Sequence, residues 1–548
     1  MYRSHRYTAA IIIVLLCSFV LRLAHFGDNF QFAYDQARDA LRVLEITQGQ
    51  LKLVGPDTDI RGVFNGPIFY YLLLIPNLLS GFNPRAVVVF MICINVLSSL
   101  LLFWFGYRVT NNKLIGLISL VLWTVSTEQL TYARYISNAS LMGPVTLAFF
   151  YLFYEYCQTK RISWLIAASI TWGLAVQMNF YLIYLGIVFI FLLKRKSLVH
   201  FGLAMLTSLV SISYIFIAEF KWGFAGSNAM IRYFHEQKPS SASIITRLSE
   251  SIHTYLNRFE QTLSWNFDPL TGSSIAHWII FLFVLIYIIY FIRDKKVVFV
   301  SLLIAFSNIF LFVFRSGVLT IPVINSTITA GLYLMFATVI AHLISSSSLV
   351  RKITGVTLLC VIILTNIIYI YQRDFQYNNM LGVNALRWSG ITQSIDYIYQ
   401  SSTSSREKAS VCAVTNPMFI NAGWSYGFKT YGEKKYGYIP NWIGQPQYLT
   451  TNYLSEHHPL SREVYLVIEP DHGFPAEAIA ATLLDANQHT LLIEEKKFAG
   501  VTVQRRVIRK VQEYQDKFGM SEDEIEKLIN VLDIVPFYRC DYQFKEGL

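Results

Sequence analysis

The chain has 548 residues, of which 54% are hydrophobic and only 15% are charged. Soluble domains carry about 25% charged residues, so this composition excludes an ordinary soluble protein. The formal net charge is +10, but the basic residues lie in small clusters between apolar runs. Nucleic-acid binding requires basic residues gathered on one face together with base-stacking aromatics, so we predict no nucleic-acid partner.

The shortage of charge is confined to residues 1–372, where apolar stretches are long enough to cross a hydrocarbon core of about 30 Å. Residues 373–548 have an ordinary mixed composition. We therefore predict a transmembrane domain followed by a soluble domain, with the boundary near residue 373. The first apolar run resembles a signal peptide, but it contains Arg22 and His25 and lacks a cleavage site, so we interpret it as an uncleaved span.

Eleven spans are predicted, at about residues 8–25, 86–107, 113–127, 140–157, 163–176, 180–193, 198–219, 277–292, 297–314, 323–344 and 353–372. With the N-terminus in the cytoplasm, the clusters of Lys and Arg fall in inside loops, as the positive-inside rule requires. This topology puts the C-terminal domain and two outer loops, residues 26–85 and 220–276, on the extracytoplasmic side. The second loop is either a mobile lid or an ordinary connection.

Two apolar regions are interrupted. Prolines and glycines break the run 63–82, which favours a helix on the outer membrane surface over a spanning helix. Residues 163–193 are too long for one span, and the polar Gln177 and Asn179 predict two short helices that turn at the outer face. A polar break at membrane depth lines a cavity.

The first outer loop contains YDQARDALRVLEITQ, beginning at Tyr34. A helix over 36–48 would place Ala37, Leu41 and Leu44 on one apolar stripe, with charged residues on the other side. This pattern is typical of an interfacial helix. Asp35 would stand at its start, where a carboxylate accepts backbone N–H bonds as a cap.

These features resemble the GT-C class of membrane glycosyltransferases, and above all the superfamily of protein O-mannosyltransferases and lipid A aminoarabinose transferases. YDQARDA is similar to the Asp-Glu-x-Arg-Tyr motif after the first span, and FNGPIFYY stands in the place of a His-Pro-Pro or Lys-Pro-Pro motif. Arg85 stands where these enzymes carry an Arg before the second span. Two departures are Gln36, in place of a second carboxylate, and Asn65-Gly66, in place of the basic residue and first proline.

The resemblance covers residues 1–372. It implies a mainly α, polytopic GT-C-like bundle of about eleven spans in the cell membrane, with a small extracytoplasmic α/β domain. It also implies inverting transfer of a hexose or pentose from a polyprenyl-phosphate donor to a hydroxyl of a protein, lipid or glycan acceptor. No P-loop or G-x-G-x-x-G fingerprint is found, and we predict no nucleotide, metal or other cofactor. Asp57 and Asp59 fit a solvated turn better than a cation site.

Direct displacement at the anomeric carbon needs a carboxylate that takes the acceptor proton. Asp35 is the candidate base, with a helix cap as the alternative. Arginines suit the departing phosphate, and the candidates are Arg38, Arg85 and Arg134. Arg38 has the alternative of orienting Asp35, and the other two have the alternative of snorkelling to the membrane surface.

Four further residues are candidates for substrate binding. Glu128 and Asn138 would bind sugar hydroxyls, unless they are merely exposed. Tyr70 would stack on sugar or lipid, although interfacial anchoring is the usual role of such a ring. Asn65 occupies the position of the basic residue in the second motif.

The C-terminal domain has strand-like runs at about residues 410–415, 464–468, 490–495 and 499–505. A helical pattern from Pro475 lies between the second and third, which predicts a small α/β domain. A final helix is expected from Ser521, capped with the help of Glu524. Cys412 and Cys540 could form a disulfide if this domain faces an oxidising compartment.

A polytopic transporter or lipid flippase is the main alternative to an enzyme. Transporters place charged groups at mid-membrane and are built from internal repeats. The predicted spans are nearly free of central charge and show no repeat, so the sequence favours the transferase.

Overall fold

The protein is described by a computed structural model. It covers residues 2–508 except for residues 25, 59, 191, 193–197, 237–243, 272, 293, 310–325, 373–385, 403–408, 419, 444–451, 455–462 and 471–475. The chain forms two compact units. The first comprises Met1–Phe26, Lys52–Leu72 and Ala86–Leu381, and the second comprises Gly27–Leu51, Leu73–Arg85 and Gly382–Leu548. The boundary predicted near residue 373 lies outside the described residues and stays a prediction.

The transmembrane region is almost entirely helical. Its α-helices are Tyr2–Leu23, Ile68–Ser80, Pro84–Thr110, Lys113–Val125, Thr127–Arg134, Met142–Thr159, Ile162–Met178, Leu198–Ser211, Ser213–Lys221, Ala225–Glu236, Ile244–Thr271, Ser274–Phe291, Lys295–Ala305, Ser326–Ile344 and Leu349–Gln372. Residues 138–141 and 180–189 are 3-10 helices. The helix Ser326–Ile344 is buried on every side over residues 328–341, as expected of a central helix in a bundle.

The count of eleven spans is not confirmed. Among the described residues, three helices are long and apolar enough to cross a membrane: His5–Leu23, Pro84–Thr110 and Leu349–Gln372. Two bent helix pairs, each bent by more than 40°, would raise the number to five. The other apolar helices are shorter than the roughly 20 residues that a perpendicular span needs.

Both predicted interruptions are present. The run 63–82 contains a helix of only 13 residues, Ile68–Ser80, with Pro76 inside it. At about 1.5 Å per residue it measures roughly 20 Å, too short to span. The long segment 163–193 breaks at Asn179, whose backbone is extended between the helix Ile162–Met178 and the 3-10 helix that follows.

The second outer loop differs from both alternatives. Its described residues form the helices Ala225–Glu236 and Ile244–Thr271. Tyr255, Phe259 and Leu263 are spaced four residues apart and are each at most 2% exposed, so the second helix buries a stripe. That helix packs against Ser274–Phe291 and Leu349–Gln372, and it is therefore part of the first unit's core.

The second unit is built on a five-stranded sheet with the order β2-β1-β3-β5-β4. The strands are Ser410–Val414 (β1), Asn441–Trp442 (β2), Glu463–Ile468 (β3), Thr490–Phe498 (β4) and Val501–Ile508 (β5). β1 is parallel to both β2 and β3, whereas β5 is antiparallel to β3 and β4. All four predicted strands are confirmed, and so is the helix between the second and third of them, Ala476–His489. Ser521 and Glu524 lie outside the described residues.

Two more helical segments complete this unit, Trp388–Ser401 and Ala422–Gly427, the latter continuing to Tyr436. Cys412 on β1 is fully buried and disulfide-bonded, while Cys540 lies outside the described residues.

The helix from the first outer loop, Tyr34–Thr47, belongs to this second unit and packs against Ala422–Gly427. Just before it, the ring of Phe32 lies 5.1 Å from that of Trp388 and 5.2 Å from that of Tyr426. Ala37 and Leu41 of the predicted apolar stripe are buried and Leu44 is partly buried, but Arg38 and Glu45 on the other side are buried as well. The polar side of the helix is thus largely buried, where Arg38 pairs with Asp35 and Asp39, and Arg42 pairs with Glu45.

A buried carboxylate follows β3. Glu469 is 7% exposed, and its two oxygens accept hydrogen bonds from the backbone N–H of Asn416 at 2.8 Å and the indole of Trp424 at 2.9 Å. Burial disfavours the charged form and raises the pKa of Glu469 to about 7, against the opposing effect of these two donors.

This pKa predicts a pH-dependent stability. Because the folded state holds the proton more tightly than the unfolded state, the free energy of unfolding should fall as pH rises from about 4.5 to 7, by up to roughly 3 kcal/mol. Glu469→Gln should remove this dependence of stability on pH. It should also lose one hydrogen bond, because the glutamine NH₂ group would face one of the two N–H donors. The measurement is the thermal midpoint of the full chain in nanodiscs from pH 5 to 8. The exposed Glu495→Gln is the control, and an unchanged slope in Glu469→Gln would contradict the assignment.

Candidate active site

The predicted site residues divide between the two units. Asp35, Arg38 and Arg85 belong to the second unit, and the remaining candidates belong to the first. The latter are Asn65, Tyr70, Glu128, Arg134 and Asn138.

Asp35 does not cap its helix. The N-cap position is Ala33, whose backbone N–H is taken by the side chain of Gln36 at 3.1 Å. The Asp35 side chain is instead 57% exposed and forms an ion pair with Arg38 at 3.1 Å. An exposed carboxylate in the first helical turn is stabilised by the helix dipole, and it is accessible to a substrate.

Arg38 lies between two carboxylates. Its Nη1 contacts Asp35, its Nε and Nη2 contact Asp39 at 2.9 Å, and its guanidinium lies 5.3 Å from the ring centre of Tyr34. Asp39 is 2% exposed. Because the Arg38 guanidinium is already shared by these two carboxylates, its contacts favour the interpretation in which Arg38 orients Asp35.

Arg85 has a different partner. Its Nε and Nη2 donate to the two carboxylate oxygens of Asp28, a bidentate ion pair. The Arg85 side chain remains 50% exposed, so a further anionic group can approach it.

In the first unit, two buried arginines complete broken helices. Arg22 is fully buried and donates to the carbonyls of Trp123 at 3.1 Å and Thr124 at 3.2 Å, which end the helix Lys113–Val125. Arg134 donates to the carbonyls of Arg22, at 2.7 Å, and Ala24, which end the first helix. Arg22 thus satisfies carbonyls at the end of Lys113–Val125, and Arg134 satisfies carbonyls at the end of the first helix, where a helix leaves carbonyls without backbone partners.

Glu128 lies in a buried polar cluster. One oxygen, Oε2, accepts from Asn266 at 3.2 Å and from Thr329. Asn266 also accepts from Ser126 at 2.7 Å and from Tyr333. The other oxygen, Oε1, has no hydrogen-bond partner in the described part of the chain. Surface exposure of Glu128 is excluded, since the residue is 0% exposed.

Asn65 and Asn138 both form hydrogen bonds with the backbone at the helix break around Asn179. Asn65 Oδ1 accepts from the backbone N–H of Phe180 at 2.9 Å, and Asn138 Nδ2 donates to the carbonyl of Met178 at 2.5 Å. They are 3% and 9% exposed. Both therefore satisfy backbone groups that the break at Asn179 sets free.

Tyr70 is 3% exposed, so its ring is buried and is not an exposed interfacial anchor.

Among the described residues, no group of three or more His, Cys, Asp or Glu side chains is placed to hold a metal ion. Asp57 forms an isolated bridge with Phe64, and Asp59 lies outside the described residues.

Four partners of the predicted site residues were not themselves predicted: Arg22 and Asn266 in the first unit, and Asp28 and Asp39 in the second. Arg22 was visible as a charge inside an apolar run, which is costly enough to predict a polar partner. Asp39 lies four residues after Asp35, on the same helix face. Asp28 and Asn266 carry no such signal, because their partners are distant in sequence.

The fold matches a known class of membrane protein. The structure is similar to ArnT from Cupriavidus metallidurans, solved bound to undecaprenyl phosphate, with a TM-score of 0.55, 10% identity, and coverage of 91% of this chain and 98% of that chain. Archaeal oligosaccharyltransferase AglB from Archaeoglobus fulgidus, solved with an inhibitory peptide and a dolichol-phosphate, has a TM-score of 0.46 and 11% identity. That match covers 89% of this chain and 71% of AglB.

Residues 65–218 match the family model of dolichyl-phosphate-mannose-protein mannosyltransferases. A search of curated protein sequences finds no match. The family match and the ArnT-like fold confirm the resemblance to GT-C membrane glycosyltransferases that was predicted from the motifs of the first outer loop.

Gly66 tests the packing at the helix break. A Cβ atom there would lie 2.6 Å from Cβ of Gln177 and 2.8 Å from its Cα, so Gly66→Ala should cost about 1–3 kcal/mol of stability through overpacking. The thermal midpoint in nanodiscs measures this. Gly202→Ala is the control, because its added Cβ meets nothing within 4 Å and a helical Gly→Ala change is neutral or stabilising. Equal midpoints for the two variants would contradict the packing described.

Proposed function

We propose that the chain is an inverting glycosyltransferase that moves a sugar from a polyprenyl-phosphate donor to an acceptor hydroxyl on the extracytoplasmic side. The observation that carries the proposal is the exposed Asp35 carboxylate, which is not used as a helix cap and is paired with Arg38. The family match over residues 65–218 and the fold shared with ArnT support the reaction class. ArnT was solved bound to undecaprenyl phosphate, the kind of carrier proposed here. Neither comparison favours a transporter or flippase.

In the proposed reaction, Asp35 takes the proton of the acceptor hydroxyl as its oxygen attacks the anomeric carbon. The bond from that carbon to the carrier phosphate breaks, and the phosphate leaves with the electron pair. A single displacement of this kind inverts the anomeric centre. Arg38 orients the carboxylate through the 3.1 Å ion pair.

Two substrate contacts are proposed independently, one for Arg85 in the second unit and one for Glu128 in the first. The half-exposed guanidinium of Arg85 suits a phosphate oxygen, which would share it with Asp28. The unpartnered oxygen of Glu128 suits a sugar hydroxyl as donor. Arg134, Asn65 and Asn138 remain candidates for substrate contact in addition to their backbone partners, and Tyr70 remains a candidate for a stacking contact.

The proposed location is a cell membrane, with the N-terminus in the cytoplasm and the C-terminal domain outside. The asymmetry of basic loops supports this orientation. The disulfide-bonded Cys412 supports it as well, because disulfides persist in oxidising compartments.

Asp35→Asn should lower kcat by roughly 10²–10⁴-fold, the usual contribution of a general base, with donor affinity retained. The assay is transfer from a polyprenyl-phosphate sugar by the purified full chain. Asp485→Asn, a carboxylate on the helix Ala476–His489, is the matched control. Transfer at the normal rate by Asp35→Asn would remove the base.

Donor binding is tested separately. Arg85→Ala and Glu128→Gln should each raise KM for the donor about tenfold, the equivalent of one lost charged or polar contact. Asp28→Asn should not raise it, because it leaves Arg85 free to meet the phosphate. If Asp28→Asn and Arg85→Ala raise KM equally, the ion pair is structural and Arg85 has no phosphate role.

Topology is tested by a reporter enzyme that is active only outside the cytoplasm. Fused after Leu548, it should be active, since an odd number of spans carries the chain across the membrane. Activity of a cytoplasm-only reporter at the same position would refute the orientation.

A further inference from the structure

The second unit exposes an apolar helix side that the proposed transfer does not use. From Leu73 onward, the helix Ile68–Ser80 belongs to this unit. Ile75, Leu78 and Leu79 are 54%, 57% and 85% exposed. Leu78 and Leu79 lie three and four residues after Ile75, so the three side chains form one apolar side of the helix. Exposed apolar residues grouped in this way are typical of a surface that contacts lipid.

The chain places the end of this helix close to the membrane boundary. After a turn through Gly81 and Phe82, both with positive φ, the chain enters the 27-residue helix Pro84–Thr110, which is long and apolar enough to cross a membrane. Gly81 lies three residues before Pro84, and three residues span at most about 11 Å. The headgroup layer of a bilayer is roughly 5–8 Å thick on each side of the hydrocarbon core. Gly81 therefore lies in or next to the layer that holds the lipid phosphates.

A lysine from the C-terminal part of the unit reaches this turn. Lys434 is exposed, and its ammonium group donates a hydrogen bond to the carbonyl of Gly81. The hydroxyl of Tyr426 donates to the neighbouring carbonyl, that of Phe82, at 2.7 Å. Since Leu79 is two residues before Gly81, the ammonium lies close to the exposed end of the apolar side. A cation and a set of apolar residues thus meet at the membrane boundary.

Lys434 differs from the other basic residues around it. The other basic side chains of the helical segment 422–436, and the arginine at the start of the span, are paired with carboxylates: Lys429–Glu433, Lys435–Asp396 and Arg85–Asp28. Within the described part of the chain, Lys434 forms no such ion pair, and the Gly81 carbonyl takes one of its three N–H donors. A lysine often binds the last carbonyls of a helix, but this contact leaves its positive charge uncompensated.

We propose that Lys434 binds the phosphate of an anionic membrane phospholipid, whose acyl chains lie against Ile75, Leu78 and Leu79. The phosphate supplies the negative charge and the acceptor oxygens that the other two N–H donors of Lys434 can bind. The acyl chains remove the apolar side from water. A free phosphate ion would leave that side uncovered, and a zwitterionic lipid carries its own cation beside the phosphate. The bound lipid holds the second unit at the bilayer surface.

The test counts the lipids that stay on the protein. The full chain is placed in nanodiscs of phosphatidylglycerol and phosphatidylcholine in equal amounts, and native mass spectrometry measures how many of each lipid are retained when the nanodisc is disrupted. Phosphatidylglycerol should be retained in excess. Lys434→Gln should retain about one fewer phosphatidylglycerol per chain, because a single charge-assisted site is lost, and its phosphatidylcholine count should not change.

Two further variants show whether the charge and the apolar side form one site. Leu79→Gln, at an exposed position, should lose the same single phosphatidylglycerol. The double variant Lys434→Gln/Leu79→Gln should lose no more than either single variant, since both changes remove one bound lipid. Lys497→Gln is the matched control. This lysine of β4 is also exposed and, among the described residues, also without an ion pair, and its lipid count should equal that of the parent.

Unchanged phosphatidylglycerol counts in Lys434→Gln or in Leu79→Gln would overturn the proposal, and so would losses that add in the double variant. A second set of nanodiscs contains a small amount of polyprenyl phosphate. If Lys434→Gln then loses polyprenyl phosphate and keeps its phosphatidylglycerol, the ammonium belongs to the carrier and the phospholipid site is refuted. No sugar transfer is measured, so this proposal and the transferase proposal fail independently.

Discussion

A helix that breaks or ends at membrane depth leaves backbone carbonyls and N–H groups that no water can satisfy. Several buried polar side chains of the first unit form hydrogen bonds with such backbone groups. Arg22 completes the end of the helix Lys113–Val125, and Arg134, from the next helix, completes the end of the helix that carries Arg22. Asn65 and Asn138 do the same on the two sides of the break at Asn179. An apolar sequence can therefore contain these breaks because a few polar side chains are placed to bind the backbone groups that the breaks leave without partners.

The candidate site residues fall into two groups: those whose polar atoms already bind backbone groups, and those that keep hydrogen-bonding capacity for a substrate. Arg134, Asn65 and Asn138 are occupied by backbone groups, so a substrate would have to share them. Asp35, by contrast, is exposed and forms an ion pair with Arg38, and one oxygen of Glu128 has no hydrogen-bond partner among the described residues. The residues with spare capacity are the ones to which the proposed chemistry assigns proton removal and sugar binding.

Sequence patterns were sufficient where the signal is local. Hydropathy located apolar helical segments, apolar β-rich runs located β1, β3, β4 and β5, and the polar residues at 177–179 located a break. The role of Asp35 as a cap could not be decided locally, because Gln36 competes for the same backbone group. The burial of Ile244–Thr271 was missed because its stripe is interleaved with polar residues. Contacts such as Asn266 with Glu128, which are 138 residues apart, depend on the packing of the whole bundle and leave no local trace.

The placement of Arg22 has a consequence for biosynthesis. The carbonyls that receive its guanidinium belong to residues 101 and 102 positions further along the chain. When the first helix leaves the ribosome, those acceptors have not been made and Arg22 has, among its described partners, only the two oxygens of Ser18 on its own helix, while an arginine in lipid costs about 2.5–3.5 kcal/mol. The nascent first helix therefore has reason to wait at the translocon or beside an insertase until its partner arrives, and the order of synthesis becomes part of how this bundle assembles.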